Sequence, residues 1–281
     1  MKITNESIKD KVCVITGGGG VIGKSFSAGL AEAGAKIAIV DYNKANGDAA
    51  AAKINERFPA SAIGVYANVL DKNSLIEAKK HIHDQFGKID VLINGAGGNA
   101  PTATTQLEFL SNDNLNDLSK GFFGLDLEGF RSVFDLNFLG TVLPTMVFAE
   151  EMAGRGGVVI NISSMNSYRP LTKIPAYSAA KASINNLTEW LAVHFAKVNI
   201  RVNAIAPGFF LTDQNRFLLT DKETGKLTAR GERIISNTPM GRFGEPDELI
   251  GTLLYLISDL SKFVTGVVIP VDGGFNAYSG V

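Results

Sequence analysis

Short apolar runs alternate with longer amphipathic stretches along almost the whole chain. The runs Val12–Thr16, Lys36–Val40, Ala62–Ala67, Ile89–Ile93, Gly157–Asn161, Ile200–Ile205 and Gly266–Val271 are each five or six residues long and rich in Val, Ile and Ala. They show little polar alternation, as expected of strands buried on both faces of a parallel sheet. Helical patterns lie between them. One runs from Val21 to about Ala33 and stops at Gly34, a suitable residue just past a helix end. Asn43–Phe58 has an Ala-rich face, and Asp71–Phe86 opens on Asp71 as its N-cap. Asn137 is read as opening a long helix to Met152. Pro175 suits the first turn of a helix reaching about Lys197, and Pro246 and Asp247 start another that ends near Ser258. The alternation predicts the α/β class with a parallel sheet. Two stretches break the pattern: Gly98–Asp135, and the polar Phe209–Met240 with two weak helical segments.

Composition narrows the picture. The chain has 281 residues, 45% of them apolar, with no repeat, low-complexity tract or Pro/Ser linker. One domain spanning 1–281 is the economical organisation. A net charge of −1 gives no basic footprint for nucleic acid. The single cysteine, Cys13, stands in an apolar run and reads as a small buried hydrophobe. Met1–Asp10 has no signal-peptide core and no apolar run is long enough to span a bilayer, so a cytoplasmic protein without membrane contact is expected. His81 and His83 have no partner at metal-ligand spacing and read as surface residues, and His194 reads as packing. No metal is expected.

The first strand runs into Thr16-Gly-Gly-Gly-Gly-Val-Ile-Gly23 and then a helix. Glycines let backbone approach a pyrophosphate, and a helix N-terminus offers unpaired N–H groups and the positive end of its dipole. Gly17, Gly19, Gly20, Val21, Ile22 and Gly23 are therefore candidate contacts. Asp41 closes the second strand 18 residues after Gly23, near the spacing at which a carboxylate bonds the adenosine ribose. A carboxylate there repels a 2′-phosphate, so NAD is favoured over NADP. No Lys or Arg lies inside the turn to offset it, and Lys44 reads as solvated.

Tyr177 and Lys181 stand four apart on one helix face. A nearby ammonium favours the phenolate and lowers its pKa, so that Tyr177 can exchange a proton with an alcohol or carbonyl oxygen. Ser164, at a strand end upstream, can hold the same oxygen. Ser164, then Tyr-x-x-x-Lys 13 residues later, preceded in order by the glycine turn, Asp41 and Asn94-Gly-Ala-Gly97, resembles the short-chain dehydrogenase/reductase superfamily. The resemblance implies Ser164 rather than Ser163, since the 13 residues from it to Tyr177 are the separation usual in that family. The resemblance covers nearly the whole chain. It implies a single Rossmann-type, doubly wound domain: a seven-stranded parallel sheet with helices on both faces. It also implies that Asn137, Ser164, Tyr177 and Lys181 are catalytic, with Lys181 on the nicotinamide ribose and Asn137 completing a proton relay. Asn68 and Val69, Asn94, Ala96 and Gly97, Pro207 and Gly208, and Thr212 would line the cofactor. Two departures stand out. Val21 occupies a usual glycine position, and Gly95 replaces a usual Asn.

Finer details resemble one subgroup, the bacterial D-mannonate oxidoreductases or fructuronate reductases. They include Asn-Ile-Ser-Ser-Met-Asn, Arg-Pro-Leu-Thr-Lys-Ile-Pro-Ala-Tyr and the ending Gly-Gly-Phe-Asn-Ala-Tyr-Ser-Gly-Val. This implies interconversion of D-mannonate and D-fructuronate with NAD. A sugar acid needs a cation and several polar groups, and Asn99, Asn166, Arg169 and Lys173 flank the catalytic candidates. Another NAD-dependent polyol or sugar-acid dehydrogenase, such as a gluconate 5-dehydrogenase-like enzyme, is the alternative. A 3-oxoacyl thioester reductase is disfavoured by Asp41. A dinucleotide-binding protein without catalysis is disfavoured by the intact catalytic set. Relatives are commonly homotetramers, and the small faces near Ala179–Ala182 suit either a subunit contact or core. The 98–135 stretch is longer than in typical relatives. It is either a surface insertion without a role, or a substrate-side cover or subunit contact.

Overall fold

The structure is a computed structural model that describes residues 5–211, 219–221 and 224–280. Seven parallel strands form one sheet in the order β3-β2-β1-β4-β5-β6-β7. They are β1 (Val12–Thr16), β2 (Lys36–Asp41), β3 (Ala62–Tyr66), β4 (Val91–Asn94), β5 (Gly157–Ile162), β6 (Ile200–Pro207) and β7 (Val268–Val271). β4 begins two residues later than the apolar run suggests. Asp90, just before it, is held at the sheet margin, where its carboxylate accepts the Val12 N–H at 3.0 Å.

The strands bury both faces, and the pleat divides their side chains with period two. Cys13 and Ile15 enter one core layer with Phe26, Leu30, Leu253 and Leu256. Val12 and Val14 enter the other, with Leu75, Ile82, Phe148 and Leu191. The first layer is covered by α1 (Val21–Glu32), α2 (Lys44–Arg57) and, late in the chain, α8 (Ile250–Ile257). The second is covered by α3 (Lys72–Phe86), α5 (Gly140–Phe148) and α6 (Pro175–Phe195). Asp71 caps α3 as expected, accepting from Asn73 N and Ser74 N. Burial pushes the Cys13 thiol up to about 12, which leaves it an inert core group. Among the described residues no helix is long and apolar enough to cross a membrane.

Three expectations need correction. Asn137 does not open a helix. The helical run begins at α4 (Leu127–Phe134), passes through a π turn at Asp135–Leu139 and continues as α5. Asp126 is the true N-cap, its carboxylate accepting from Gly129 N. The irregular insertion therefore ends at Asp126 rather than Asp135, and 3₁₀ turns from Pro101 to Gly124 shape it. His194 is exposed rather than packed inside, stacked on Trp190 with ring centroids 4.6 Å apart.

The centre of the sheet carries a buried polar ladder. Asn94 Nδ2 donates to Thr145 Oγ1 and to Asn161 Oδ1, and Asn161 Nδ2 donates to Thr188 Oγ1, each at 2.9 Å. Thr145 donates to Thr141 O, and Thr141 to Asn137 O. Two neighbouring strands are thus keyed to α5, to the π turn and to α6. Such a network raises specificity of register, because each group left unpaired inside would cost about 1–3 kcal/mol.

Candidate active site

β1 leads the chain one way along the sheet to β2 and β3, and β4 restarts it on β1's other side. Ligands of open α/β sheets bind at such a reversal, outside the carboxyl ends of the strands. The sequence candidates from six strand ends, β1 to β6, lie there.

The glycine turn is packed at backbone contact. Gly17 has φ +65°, and a Cβ on it would lie 2.9 Å from Ala96 Cα. A Cβ on Gly23 would lie 2.6 Å from both Gly17 O and Gly18 Cα. Thr16 Oγ1 accepts from Gly95 N at 3.1 Å and Ala96 N at 3.3 Å, joining the turn to the segment after β4. Gly20 is the N-cap of α1, and no side chain caps that helix. Val21 is simply its first helical residue, which explains why a side chain is tolerated there. Asp41 is fixed beside the turn: Oδ2 accepts from Gly19 N at 3.0 Å and Oδ1 from Asn43 N at 2.9 Å. A backbone-walled turn, an uncapped helix start and a fixed carboxylate suit the pyrophosphate and adenosine ribose of a dinucleotide.

Other cofactor candidates divide by role. The Asn94 Nδ2 donates within the polar ladder, and its buried Oδ1 has no protein partner. Asn68 Oδ1 accepts from Leu70 N at 3.0 Å, closing its own loop. Val69 is buried against Gly140, where an added Cβ would come within 3.1 Å of it. Gly208 donates to Val271 O at 2.9 Å, seating the Pro207–Gly208 exit of β6 on the end of β7. Ile22 is half-buried in α1. Thr212 lies outside the described residues.

The catalytic candidates converge. Lys181 is buried and donates to Ile162 O, the last residue of β5, at 2.7 Å. Its ammonium stands 5.7 Å from the centre of the Tyr177 ring. A Cβ on Gly97 would meet Asn137 Oδ1 at 2.6 Å and Lys181 Nζ at 3.3 Å, so the bare glycine lets both groups close on one point. Asn137 is fully buried; Nδ2 donates to Gly98 O at 2.6 Å and Val133 O at 2.8 Å. Of the two serines, Ser163 is turned to α6 and bonded to Asn185 at 2.5 Å. Ser164 stands near enough to the Tyr177 phenol to act on its pKa, and its Oγ accepts from Asn166 N at 3.2 Å.

The electrostatics differ from the sequence expectation. Burial raises the Tyr177 pKa above the ordinary phenol value, and the Ser164 hydrogen bond only partly offsets it. Lys181 does not produce the expected lowering. Burial brings the ammonium itself down to about 8, because desolvation penalises the charged form of each group. This has a consequence for stability. Between about 8 and the ordinary 10.5 the unfolded chain binds a proton that the folded chain lacks. Stability should therefore rise with pH across that window, by an amount on the order of 3 kcal/mol; below 8 both states are protonated and the full cost is present. Urea midpoints of the wild type and Lys181→Met, measured from pH 7 to 10.5, should converge or cross in this direction. Parallel pH profiles would discard the shift.

The four substrate candidates are not gathered equally. Asn166 is 5% exposed, its Oδ1 has no protein partner, and its backbone N–H donates to Ser164 Oγ at 3.2 Å. Lys173 is half-buried with φ +76°, a strained conformation for a non-glycine residue. Arg169 is exposed, and Asn99 is exposed and bonded to Thr104 within its own loop at 2.9 Å.

Sequence reasoning missed the wall behind Tyr177. Ala103, Val133 and Ala176 form a small buried cluster against which Ala100, Phe130 and the Tyr177 ring pack. The insertion is pinned there, with Thr105 N donating to Lys173 O at 2.9 Å. Glu108 also pairs with Arg233 of α7 (Ala229–Ser236) at 2.6 Å. No local signal marks these contacts, since each joins residues far apart in the chain.

Comparison with known proteins agrees with this geometry. Residues 19–276 match the family model described as Enoyl-(Acyl carrier protein) reductase. An uncharacterized oxidoreductase of Haemophilus influenzae is 53% identical over 99% of this chain and 97% of its own length. The uncharacterized oxidoreductase UxuB of Bacillus subtilis is 49% identical over 99% of each. A crystal structure from Haemophilus influenzae, provisionally named a D-mannonate oxidoreductase and containing bound NAD, superposes with a TM-score of 0.93 at 52% identity over 99% of both chains. With its seven-stranded parallel sheet, glycine turn and Ser–Tyr–Lys–Asn set, the chain belongs to the short-chain dehydrogenase/reductase superfamily and is one of its oxidoreductases.

Proposed function

We propose that the protein interconverts D-mannonate and D-fructuronate, using NAD. The observation that carries the reading is the meeting of Ser164, Tyr177, Lys181 and Asn137 beside a dinucleotide-shaped turn. NAD rather than NADP is supported by the fixed Asp41 carboxylate and by the NAD bound in the Haemophilus structure. Gly17, Gly19, Gly20 and the start of α1 would hold the pyrophosphate, Asp41 the adenosine ribose, and Gly97, Pro207 and Gly208 the reactive end. When bound, the nicotinamide gives or takes the hydride.

The chain's own residues handle the proton and the geometry. The Tyr177 hydroxyl gives its proton to the carbonyl oxygen in reduction and takes it back in oxidation. Raised by burial, the phenol stays protonated at neutral pH, which suits the reductive direction. Ser164 orients the same oxygen. Lys181, charged below about 8, favours negative charge developing at Tyr177. Asn137 fixes the Gly97–Gly98 backbone against Lys181. Asn166 offers a buried, unpartnered acceptor to a substrate hydroxyl, and Lys173 or Arg169 offers a cation to the carboxylate. The reading includes a homotetramer, supported by exposed Met146 on α5 and by Trp190 and Val193 on α6.

The experiment is NADH oxidation with D-fructuronate beside 5-keto-D-gluconate and D-fructose, with an NADPH control. Selective turnover of fructuronate with NADH is expected. Preference for either other ketone would move the substrate to a polyol or gluconate class while leaving the catalytic set in place. Preference for NADPH would overturn the role of Asp41.

A further inference from the structure

Tyr177, Lys181 and Asn185 follow one another at intervals of four on α6, a stripe that drifts only slowly around the helix. The first two are the proton donor and its cation. The third is tied to the turn that carries the serine. Ser163 Oγ donates to Asn185 Oδ1 at 2.5 Å, and Asn185 Nδ2 donates to Ser167 Oγ at 2.8 Å. Ser167 Oγ in turn donates to Ser164 O at 2.6 Å. Together with Lys181 Nζ on Ile162 O at 2.7 Å, three consecutive residues at the exit of β5 are gripped by side chains of the same helix, directly or through Ser167.

The grip matters because the exit turn is short. Ser164 is followed by a 3₁₀ turn at Met165–Ser167, and a single 3₁₀ turn has weak hydrogen bonds of its own. A 3₁₀ turn left to itself would let the Ser164 hydroxyl swing relative to Tyr177. An amide is suited to the task, since it accepts from one side of the turn and donates to the other at once.

We infer that Asn185 is a positioning residue that clamps the Ser163–Ser167 turn to α6 and thereby holds the Ser164 hydroxyl in register with Tyr177. The inference rests on the reading of Ser164 and Tyr177 as the reacting pair. Asn185 touches neither reacting group and acts through Ser163 and Ser167.

The test is a double-mutant cycle of Ser167→Ala and Asn185→Ala, with Asn185→Asp as a finer probe. The assay is NADH-dependent reduction of D-fructuronate or 5-keto-D-gluconate, whichever the wild type turns over. Each single variant is expected to lose about 10- to 100-fold in kcat, the scale of a small misplacement, with KM for NADH unchanged. The double variant should be no worse than Asn185→Ala, because both act on one chain of bonds. Asn185→Asp keeps the acceptor for Ser163 but loses the donor to Ser167, so it should match Ser167→Ala. In alcohol oxidation the rise of rate with pH should move to higher pH, since the Ser164 bond helps hold the Tyr177 pKa down. A crystal structure of Ser167→Ala should show the 163–167 turn displaced. Additive losses, an unshifted pH profile or an unmoved turn would overturn the inference. Tyr177→Phe serves as the control: if it retains turnover, the reacting pair itself is wrong; if it is dead while Asn185→Ala keeps its kcat, only the clamp is wrong.

Discussion

Replacing Tyr177 by Phe is expected to reduce turnover by about 1,000-fold or more, within the range that a positioned proton donor supplies, while NADH binds almost as before. The change removes one oxygen. The ring still packs on Ala103, Val133 and Ala176, so the wall that the insertion builds behind it remains. Lys181 keeps its bond to Ile162 O, and the glycine turn is untouched. Only the hydroxyl is gone. Fluorescence titration with NADH and steady-state rates with the preferred ketone separate binding from chemistry. Near-wild-type kcat would remove Tyr177 from the mechanism.

The second large effect is expected at Gly23→Ala, and here binding should fail before chemistry. The new methyl would sit 2.6 Å from Gly17 O and Gly18 Cα. Both are backbone atoms of the turn, so no side chain can swing aside. Either α1 withdraws from the turn or the turn opens. Overpacking of this kind costs about 1–3 kcal/mol of stability. The same movement breaks the alignment of N–H groups at the start of α1, and the NADH dissociation constant should rise by about 100-fold, or nearly 3 kcal/mol. Isothermal titration with NADH, with thermal melts alongside, reads both. An unchanged dissociation constant would mean that the turn does not carry the phosphates.

Much of this was legible in the sequence because the signals are local. The seven strands, the Gly17–Gly23 turn, Asp41 and the Tyr177–Lys181 pair each lie within one element or at one element's end. Periodicity and spacing report such features directly. The choice of Ser164 over Ser163 came from the separation usual in the family that the chain resembles; the bond of Ser163 to Asn185 is a contact that spacing does not report. What was missed depends on contacts between distant segments. Asn137 has the residue type of a helix cap, but the helix starts ten residues earlier, at Leu127, behind a real cap at Asp126. Asn94 is also a rung between two strands, a contact that its place in the sequence does not show. The surroundings of Tyr177 are likewise set by distant segments: spacing places a charge near the phenol, and burial of the ring pushes its pKa up.

The ladder from Asn137 through Thr141, Thr145, Asn94 and Asn161 to Thr188 has a consequence for how such enzymes diversify. It ties Asn137 and α6, the helix that carries Tyr177 and Lys181, to the two central strands, and the 98–126 insertion packs against that frame. Most of the insertion can then be lengthened, trimmed or rewritten without loosening the bonds that fix α6 to the sheet. The helix is inherited with the sheet, and the insertion is added at its margin.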